Sequence, residues 1–243
     1  MKLDVLAIGA HPDDVELGCS GVLIKEVKKG KKVGIVDLTQ GELGTRGTVE
    51  TRYQEAADAA KIIGVHVREN LKMRDGFFVN DEAHQMQVIQ VLRKYRPEIV
   101  IGNILDDRHP DHGKGGKLIY DACFLSGLKQ INTVDGKGQD QEKWRPKYLL
   151  HYLQDRFYEP DFIVDISDVW EQRLESIKAY KTQFHNPESN EPQTYISSPE
   201  FLEAVIARAK LLGKRIGVQF AEGYISKKNI GLADLDALVL QET

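Results

Sequence analysis

The sequence predicts an α/β fold, with a mostly parallel sheet, helices on both faces and an elaborated C-terminal third. Two observations carry this. Val5-Leu6-Ala7-Ile8 and Ile99-Val100-Ile101 are short runs apolar at every position, the pattern of central strands covered on both sides. Between residues 2 and 38 the chain reads strand, helix, strand, the unit that makes a parallel crossover.

The elements follow in order. Residues 2–10 form the first strand. Residues 15–29 form a helix, with Leu17, Val22, Leu23 and Val27 apolar and Gly30 as its stop. Residues 32–38 are the second strand, and Thr39-Gln40-Gly41-Glu42-Leu43-Gly44-Thr45-Arg46-Gly47 is a glycine-rich loop. A helix over 51–63 shows Tyr53, Ala56, Ala57, Ala60 and Ile63 at helical spacing. A weaker strand over 65–73 ends in a turn at Asp75-Gly76. A helix over 82–95 stops before Pro97, the strand at Ile99 follows, and 113–125 is helical again. Residues 126–143 and 185–199 read as long loops. Strands are expected at 148–153 and 162–166, and helices at 169–184 and 201–212. The tail after Ile216 has mixed character.

A chain of 243 residues suits one domain, here a core over about 1–125 and an elaboration over about 126–243. The net charge of -4 gives no basic excess for nucleic acid, and no apolar run is long enough to span a bilayer. Residues 1–4 lead straight into structure, so no signal peptide is expected. Cys19 and Cys123 read as buried free thiols and fit a cytoplasmic protein.

Two clusters carry the chemistry. Ala10-His11-Pro12-Asp13-Asp14 closes the first strand, and His109-Pro110-Asp111-His112 follows the strand at Ile99. Ligands of open parallel sheets bind beyond the strand carboxyl ends, where strand order reverses. With the first strand beside the fourth, both clusters flank that point and the Gly41 loop makes a third wall. A dinucleotide fingerprint is a poor reading, because the first turn places two carboxylates where a pyrophosphate would sit. A catalytic metal takes three ligands from His and Asp or Glu and leaves a position for water, whose pKa it lowers to roughly 7. His11, one aspartate of the pair and one histidine of the later cluster supply such a set. The other aspartate is then free as a general base. An Asp pair after a strand also makes an ordinary helix N-cap, and His-x-x-His an ordinary loop. Both together, at neighbouring strand ends, favour the metal.

The motifs Ala10-His11-Pro12-Asp13-Asp14, Glu16-Leu17-Gly18-Cys19-Ser20-Gly21, Thr39-Gln40-Gly41-Glu42, Gly44-Thr45-Arg46-Gly47 and His109-Pro110-Asp111-His112 resemble the PIG-L/LmbE family of zinc-dependent de-N-acetylases. Arg52 and Glu55 also fit. Within the family the chain is most similar to the bacillithiol-biosynthesis deacetylases, which remove acetate from N-acetylglucosaminyl malate. The resemblance implies a Rossmann-like fold. It also implies one zinc per subunit (or ferrous iron in the cell) on His11, Asp14 and His112, with Asp13 as general base. His109, paired with Asp111, would stabilise the oxyanion or protonate the leaving amine. A small amino-sugar substrate and a homo-oligomer, up to a hexamer, are implied as well.

Arg46, Arg52 and Arg108 are candidates for a substrate carboxylate, with salt bridges to Asp106, Asp107 or Glu42 as the alternative. Tyr195 is a candidate lid or oxyanion donor in a loop where an exposed tyrosine is the commoner case, and His185 shares that loop. His66, His84 and His151 read as structural, and Trp144 and Trp170 as packing residues. The competing readings are an amidohydrolase of another N-acyl substrate, such as chitobiose or a small-molecule amide, and a non-catalytic sugar-binding module. Asp13 speaks against the last, because binding alone needs no base.

Overall fold

The computed structural model describes residues 1–239. The chain runs β1 (Val5–Gly9), α1 (Asp14–Lys28), β2 (Val33–Thr39), α2 (Val49–Ile63), β3 (Val67–Met73), α3 (Glu82–Tyr95), β4 (Ile99–Gly102) and α4 (Pro110–Leu125). It continues through β5 (Tyr148–Tyr152), β6 (Phe162–Asp165), α5 (Trp170–Lys178), α6 (Pro199–Ile216) and β7 (Ala221–Ser226). Among the described residues seven strands form one sheet in the order β3-β2-β1-β4-β5-β7-β6, in which β7 alone runs against its neighbours. The expected α/β class is what the structure shows.

Alternation along β1 explains the two layers, since successive strand side chains point to opposite faces. Leu6 and Ile8 join Val88, Leu92, Leu118 and Ile119 under α3 and α4. Val5 and Ala7 join Val15, Cys19 and Leu23 of α1, together with Trp170 and Ala209 from the C-terminal part. Cys19 and Cys123 are buried and unpaired. Trp170 stacks on Phe220 and the Trp144 indole N–H donates to the Pro97 carbonyl, so both tryptophans pack.

Helix α2 starts at Val49 rather than 51, β3 at Val67 rather than 65, and α4 at Pro110 rather than 113, so that Asp111 and His112 lie in its first turn; three larger differences follow. The helix begun at Trp170 ends at Lys178, and the chain turns until Phe184 buries in the small cluster around Leu17 and Ile177. Helix α6 starts two residues earlier and ends four residues later than expected, capped by Ser198 before Pro199 and closed by Gly217 at φ 78°. The mixed tail contains β7, which inserts between β5 and β6. Its Ala-Glu-Gly-Tyr-Ile-Ser sequence shows little apolar alternation because buried Glu222 is neutralised inside the fold.

β1 pairs with β2 on one side and β4 on the other. The order therefore reverses between β1 and β4, where the two histidine clusters emerge.

Candidate active site

The chain leaves β1 and turns through Ala10-His11-Pro12-Asp13 into α1. Asp13 adopts φ 117°, a left-handed conformation that is costly for any residue with a Cβ and persists only when neighbours impose it. They do so from two strand ends. The Thr39 hydroxyl and N–H donate to the Ala10 carbonyl at 2.9 and 3.0 Å, and the Ala10 N–H donates to Asn103 Oδ1 at 2.8 Å. The second cluster starts α4. His109 is its N-cap, with Nδ1 accepting the Asp111 N–H at 3.2 Å, and Pro110 presets the first helical φ. The imidazoles of His11, His109 and His112 meet there, with ring centroids 4.7, 5.7 and 5.2 Å apart.

The ring nitrogens divide into inner and outer. His11 Nδ1 lies 3.6 Å from Asp14 Oδ2, and His112 Nε2 lies 3.1 Å from Asp14 Oδ1. In a tetrahedral site with bonds near 2.0–2.1 Å, neighbouring ligand atoms are about 3.3 Å apart, close to the separation of His112 Nε2 and Asp14 Oδ1, with His11 Nδ1 facing the same carboxylate. The outer nitrogens are taken by carboxylates: His11 Nε2 by Asp75 at 3.0 Å and Asp111 at 3.4 Å, His112 Nδ1 by Asp107 at 2.7 Å. One nitrogen on a carboxylate and the other turned inward is how metal-binding histidines are oriented. This donor set fits a divalent cation. Ligand atoms of His11, His109 and His112, and those of His11, Asp75 and Asp111, also lie within 4.8 Å of one another.

Charge is distributed unevenly. Burial alone would lower His11 and His112, but contacts to carboxylates outweigh it: His11 is held well above the usual imidazole value and His112 rises to about 9. Burial opposes ionisation of Asp14, yet the charge of His112 and the hydrogen bonds of both imidazoles hold it well below the carboxylate range. Asp13 behaves oppositely. Burial and the Asp14 charge push it up to about 7, against the pull of Arg52. His109 falls to about 4 through burial and the charges of His11 and His112. It is therefore neutral at rest, and with Nδ1 accepting a backbone N–H its proton sits on Nε2.

Known proteins resemble this chain in sequence and in fold. The model of the PIG-L family, described as GlcNAc-PI de-N-acetylase, matches residues 6–123. A diacetylchitobiose deacetylase of Thermococcus kodakarensis is 30% identical over 232 residues, covering 90% of this chain and 81% of its own. The chain belongs to the PIG-L de-N-acetylase family. The crystal structure of the conserved protein TT1542 from Thermus thermophilus superposes with a TM-score of 0.84 at 34% identity, over 95% of this chain and 97% of that one. The 4-carboxy-2-hydroxymuconate hydratase GalB of Pseudomonas putida KT2440 shares the fold, with a TM-score of 0.77 at 20% identity over 97% of this chain and all of its own.

In this PIG-L member the histidine cluster opens into a cavity of about 480 Å³, within the usual range for small-molecule sites. Arg46, Arg52, Arg108 and Tyr195 all line it, and Leu43 to Arg46 make the third wall. Gly41, at φ 66°, is required there, because a Cβ would run into the Arg52 guanidinium. The arginines do not take the partners expected. Arg52 donates to Gln183, Arg46 Nη2 to Ser189 Oγ at 2.8 Å, and Arg108 Nε to Asp155 at 2.5 Å. Asp106 pairs with Arg156 instead, and Glu42 accepts the Asp75 N–H. Tyr195 is latched to the same Asp155 by its hydroxyl at 3.0 Å, under the Arg108 guanidinium. Asp111 also departs from expectation. Its carboxylate turns to His11, Lys114 and the Gly76 N–H, and only its own N–H reaches His109.

His66, His84, His151 and His185 do not line the cavity. Sequence reading missed Asp75, Asp107 and Asn103, and also Gln154, Gln183 and Arg208, which line the cavity. Asp75 was visible only as half of an Asp-Gly turn, and Asp107 only as a spare carboxylate near arginines. The amides carried no signal, because a carboxamide gains meaning only from what it faces.

Proposed function

We propose that this chain is a zinc-dependent N-deacetylase that removes acetate from an N-acetylglucosamine conjugate with an anionic aglycone. N-acetylglucosaminyl malate, the bacillithiol precursor, is the leading candidate. The observation that carries this is the inward-facing set of His11 Nδ1, Asp14 and His112 Nε2, held from behind by carboxylates, beside a buried carboxyl that ionises near neutrality. The arginine-lined cavity supports the anionic part of the reading.

His11, Asp14 and His112 would hold the metal, which supplies Lewis acidity toward water and the acetyl carbonyl. Asp13, a buried carboxyl in the same turn as Asp14 and raised towards neutrality in the metal-free chain by burial and the Asp14 charge, takes the proton of the attacking water. Neutral His109 donates a hydrogen bond from its Nε2–H to the oxygen on which charge develops, and the proton taken up by Asp13 is the one that passes to the departing amine. Asp111 positions His11 from behind and anchors the first turn of α4. Arg46, Arg52 and Arg108 receive the anionic group of the substrate, and Tyr195 closes the rim.

A second reading, action on a neutral chito-oligosaccharide, is favoured by the 30% identity to a diacetylchitobiose deacetylase. An amine-release assay on N-acetylglucosaminyl malate, N-acetylglucosamine and N,N'-diacetylchitobiose, with and without chelator, separates the two. Chelator-sensitive release from the malate conjugate is expected to dominate. Preference for chitobiose overturns the substrate, and release that survives complete metal removal overturns the mechanism.

A further inference from the structure

Asp14 is gripped by more donors than a metal-ligating carboxylate needs. Its Oδ2 accepts the His11 N–H at 3.0 Å and Asn103 Nδ2 at 3.1 Å. Its Oδ1 accepts Gln154 Nε2 at 2.6 Å. Each carboxylate oxygen offers two lone pairs. Oδ2 is therefore filled from within the chain. Oδ1 has one lone pair left, on the side where His112 Nε2 stands 3.1 Å away.

The two amides are fixed in turn. Asn103 Oδ1 accepts the Ala10 N–H, which settles which end of the amide faces Asp14, and Asn103 Nδ2 also reaches Gln154 Oε1 at 3.3 Å. Asn103 is fully buried and Gln154 is 7% exposed. The otherwise unused His151 donates from Nδ1 to the Asn103 carbonyl at 2.7 Å, tying the end of β4 to β5. The clamp thus draws one amide from the residue after β4 and one from the segment after β5.

We propose that Asn103 and Gln154 are positioning residues that clamp Asp14 and offer Oδ1 alone to the metal. This rests on the reading of Asp14 as a ligand. One-oxygen coordination would keep the protein's share at three bonds, from His11, Asp14 and His112, and would leave room for water and substrate. Neutral donors on the carboxylate hold its direction without cancelling its charge, whereas a lysine or arginine there would compete with the cation. The clamp also braces the strained turn, because the same Asn103 side chain holds Ala10 and Asp14 on either side of Asp13.

The test is metal affinity, measured on the full chain by competition with a chromophoric chelator for Zn²⁺ and Co²⁺. Gln154→Met and Asn103→Ala should each bind about 10- to 100-fold more weakly, the usual cost of removing a partner of a ligand. The Co²⁺ absorption of Asn103→Ala should also lose intensity, as the freed Oδ2 joins the metal and raises its coordination number. Asp14→Ala separates the two levels. If it binds as tightly as the parent, the ligand reading falls. If it loses binding while both amide variants keep parental affinity and spectrum, the ligand reading stands and the clamp is wrong. Gln154→Met decides the matter by itself should Asn103→Ala fail to melt cooperatively.

Discussion

Helix α1 carries two buried carboxylates two residues apart, Asp14 and Glu16, and their surroundings differ in kind. Glu16 accepts Arg68 Nη1 at 2.5 Å and the Tyr180 hydroxyl at 3.2 Å, while Arg68 also grips Asp37 through Nε at 3.0 Å and Nη2 at 2.9 Å. That cluster contains its own cation. Among the described residues no lysine or arginine forms an ion pair with Asp14, whose neighbours are two imidazoles and two amides. A buried charge cluster closed by a guanidinium is finished by folding. One left to imidazoles and neutral donors is completed by something brought from outside, and it opens onto the cavity that substrate would enter.

The largest effect should come from the open cluster. Asp13→Asn is expected to lower kcat by about 10²- to 10⁴-fold, the usual worth of a general base. The metal-free protein should be no less stable for it at pH 8, because a carboxyl that ionises only near pH 7 in its buried setting has been removed. Steady-state amine release and chemical denaturation check the two halves; near-parental kcat would end the assignment. Arg68→Met should do the reverse. It leaves Glu16 and Asp37 buried without their cation, and breaking such a pair costs about 3–5 kcal/mol. Denaturant melts would register that loss, while metal affinity per folded molecule should hold. A large drop in that affinity would show that the two clusters are not independent.

This contrast was only half legible in the sequence. His11, Asp13, Asp14, His109 and His112 announced themselves because catalytic residue types were crowded at the ends of apolar strands. The fold was legible for the same reason, through β1, β2 and β4, whose apolar runs allow little else. Arg68 and Asp37 were hidden inside β3 and β2, where a buried salt bridge looks like an ordinary break in the pattern. β7 was hidden likewise, because Glu222 is tolerated there only through partners distant in sequence, Arg173 at 2.8 Å and the Gly21 and Val22 N–H groups at 2.9 Å, together with the Tyr224 hydroxyl. Asp75 comes from a turn and Gln154 from the irregular segment after β5, and neither sequence fixes a direction for the side chain. What the sequence could not carry was orientation: it named the imidazoles but not which nitrogen each turns inward.

The open cluster also predicts how pH acts without metal. His11 and His112 are raised above the unfolded value, with His112 at about 9, and Asp13 is raised to about 7. Groups with raised folded values hold protons that the unfolded chain releases, so their stabilisation is lost as pH rises through those values. His109, lowered to about 4, works the other way, but only as pH rises to about 6.5, where the unfolded imidazole has lost its proton. Between about pH 6.5 and 9 the chelated protein should therefore become steadily less stable. Saturating zinc should reverse the trend, since the metal takes the place of the protons on His11 and His112. Melting temperatures across that range, with zinc and with chelator, test this. Parallel curves would mean that the metal does not displace those protons.

The smallest effect on stability belongs to the cavity rim, where the ion pair of Arg108 and Asp155 is partly open to solvent. Exposed pairs contribute about 0–1 kcal/mol, so Arg108→Gln should barely move the melt. Its value lies in the comparison between substrates. Arg108 stacks over Tyr195, and both share Asp155, so an anionic group entering the cavity would compete with Asp155 for the guanidinium. KM for the malate conjugate should then rise several-fold in Arg108→Gln while kcat holds, and KM for neutral N-acetylglucosamine should stay put. Equal increases for both substrates would make Arg108 a rim-shaping residue, and the anion would have to be read by Arg46 and Arg52 deeper in the cavity.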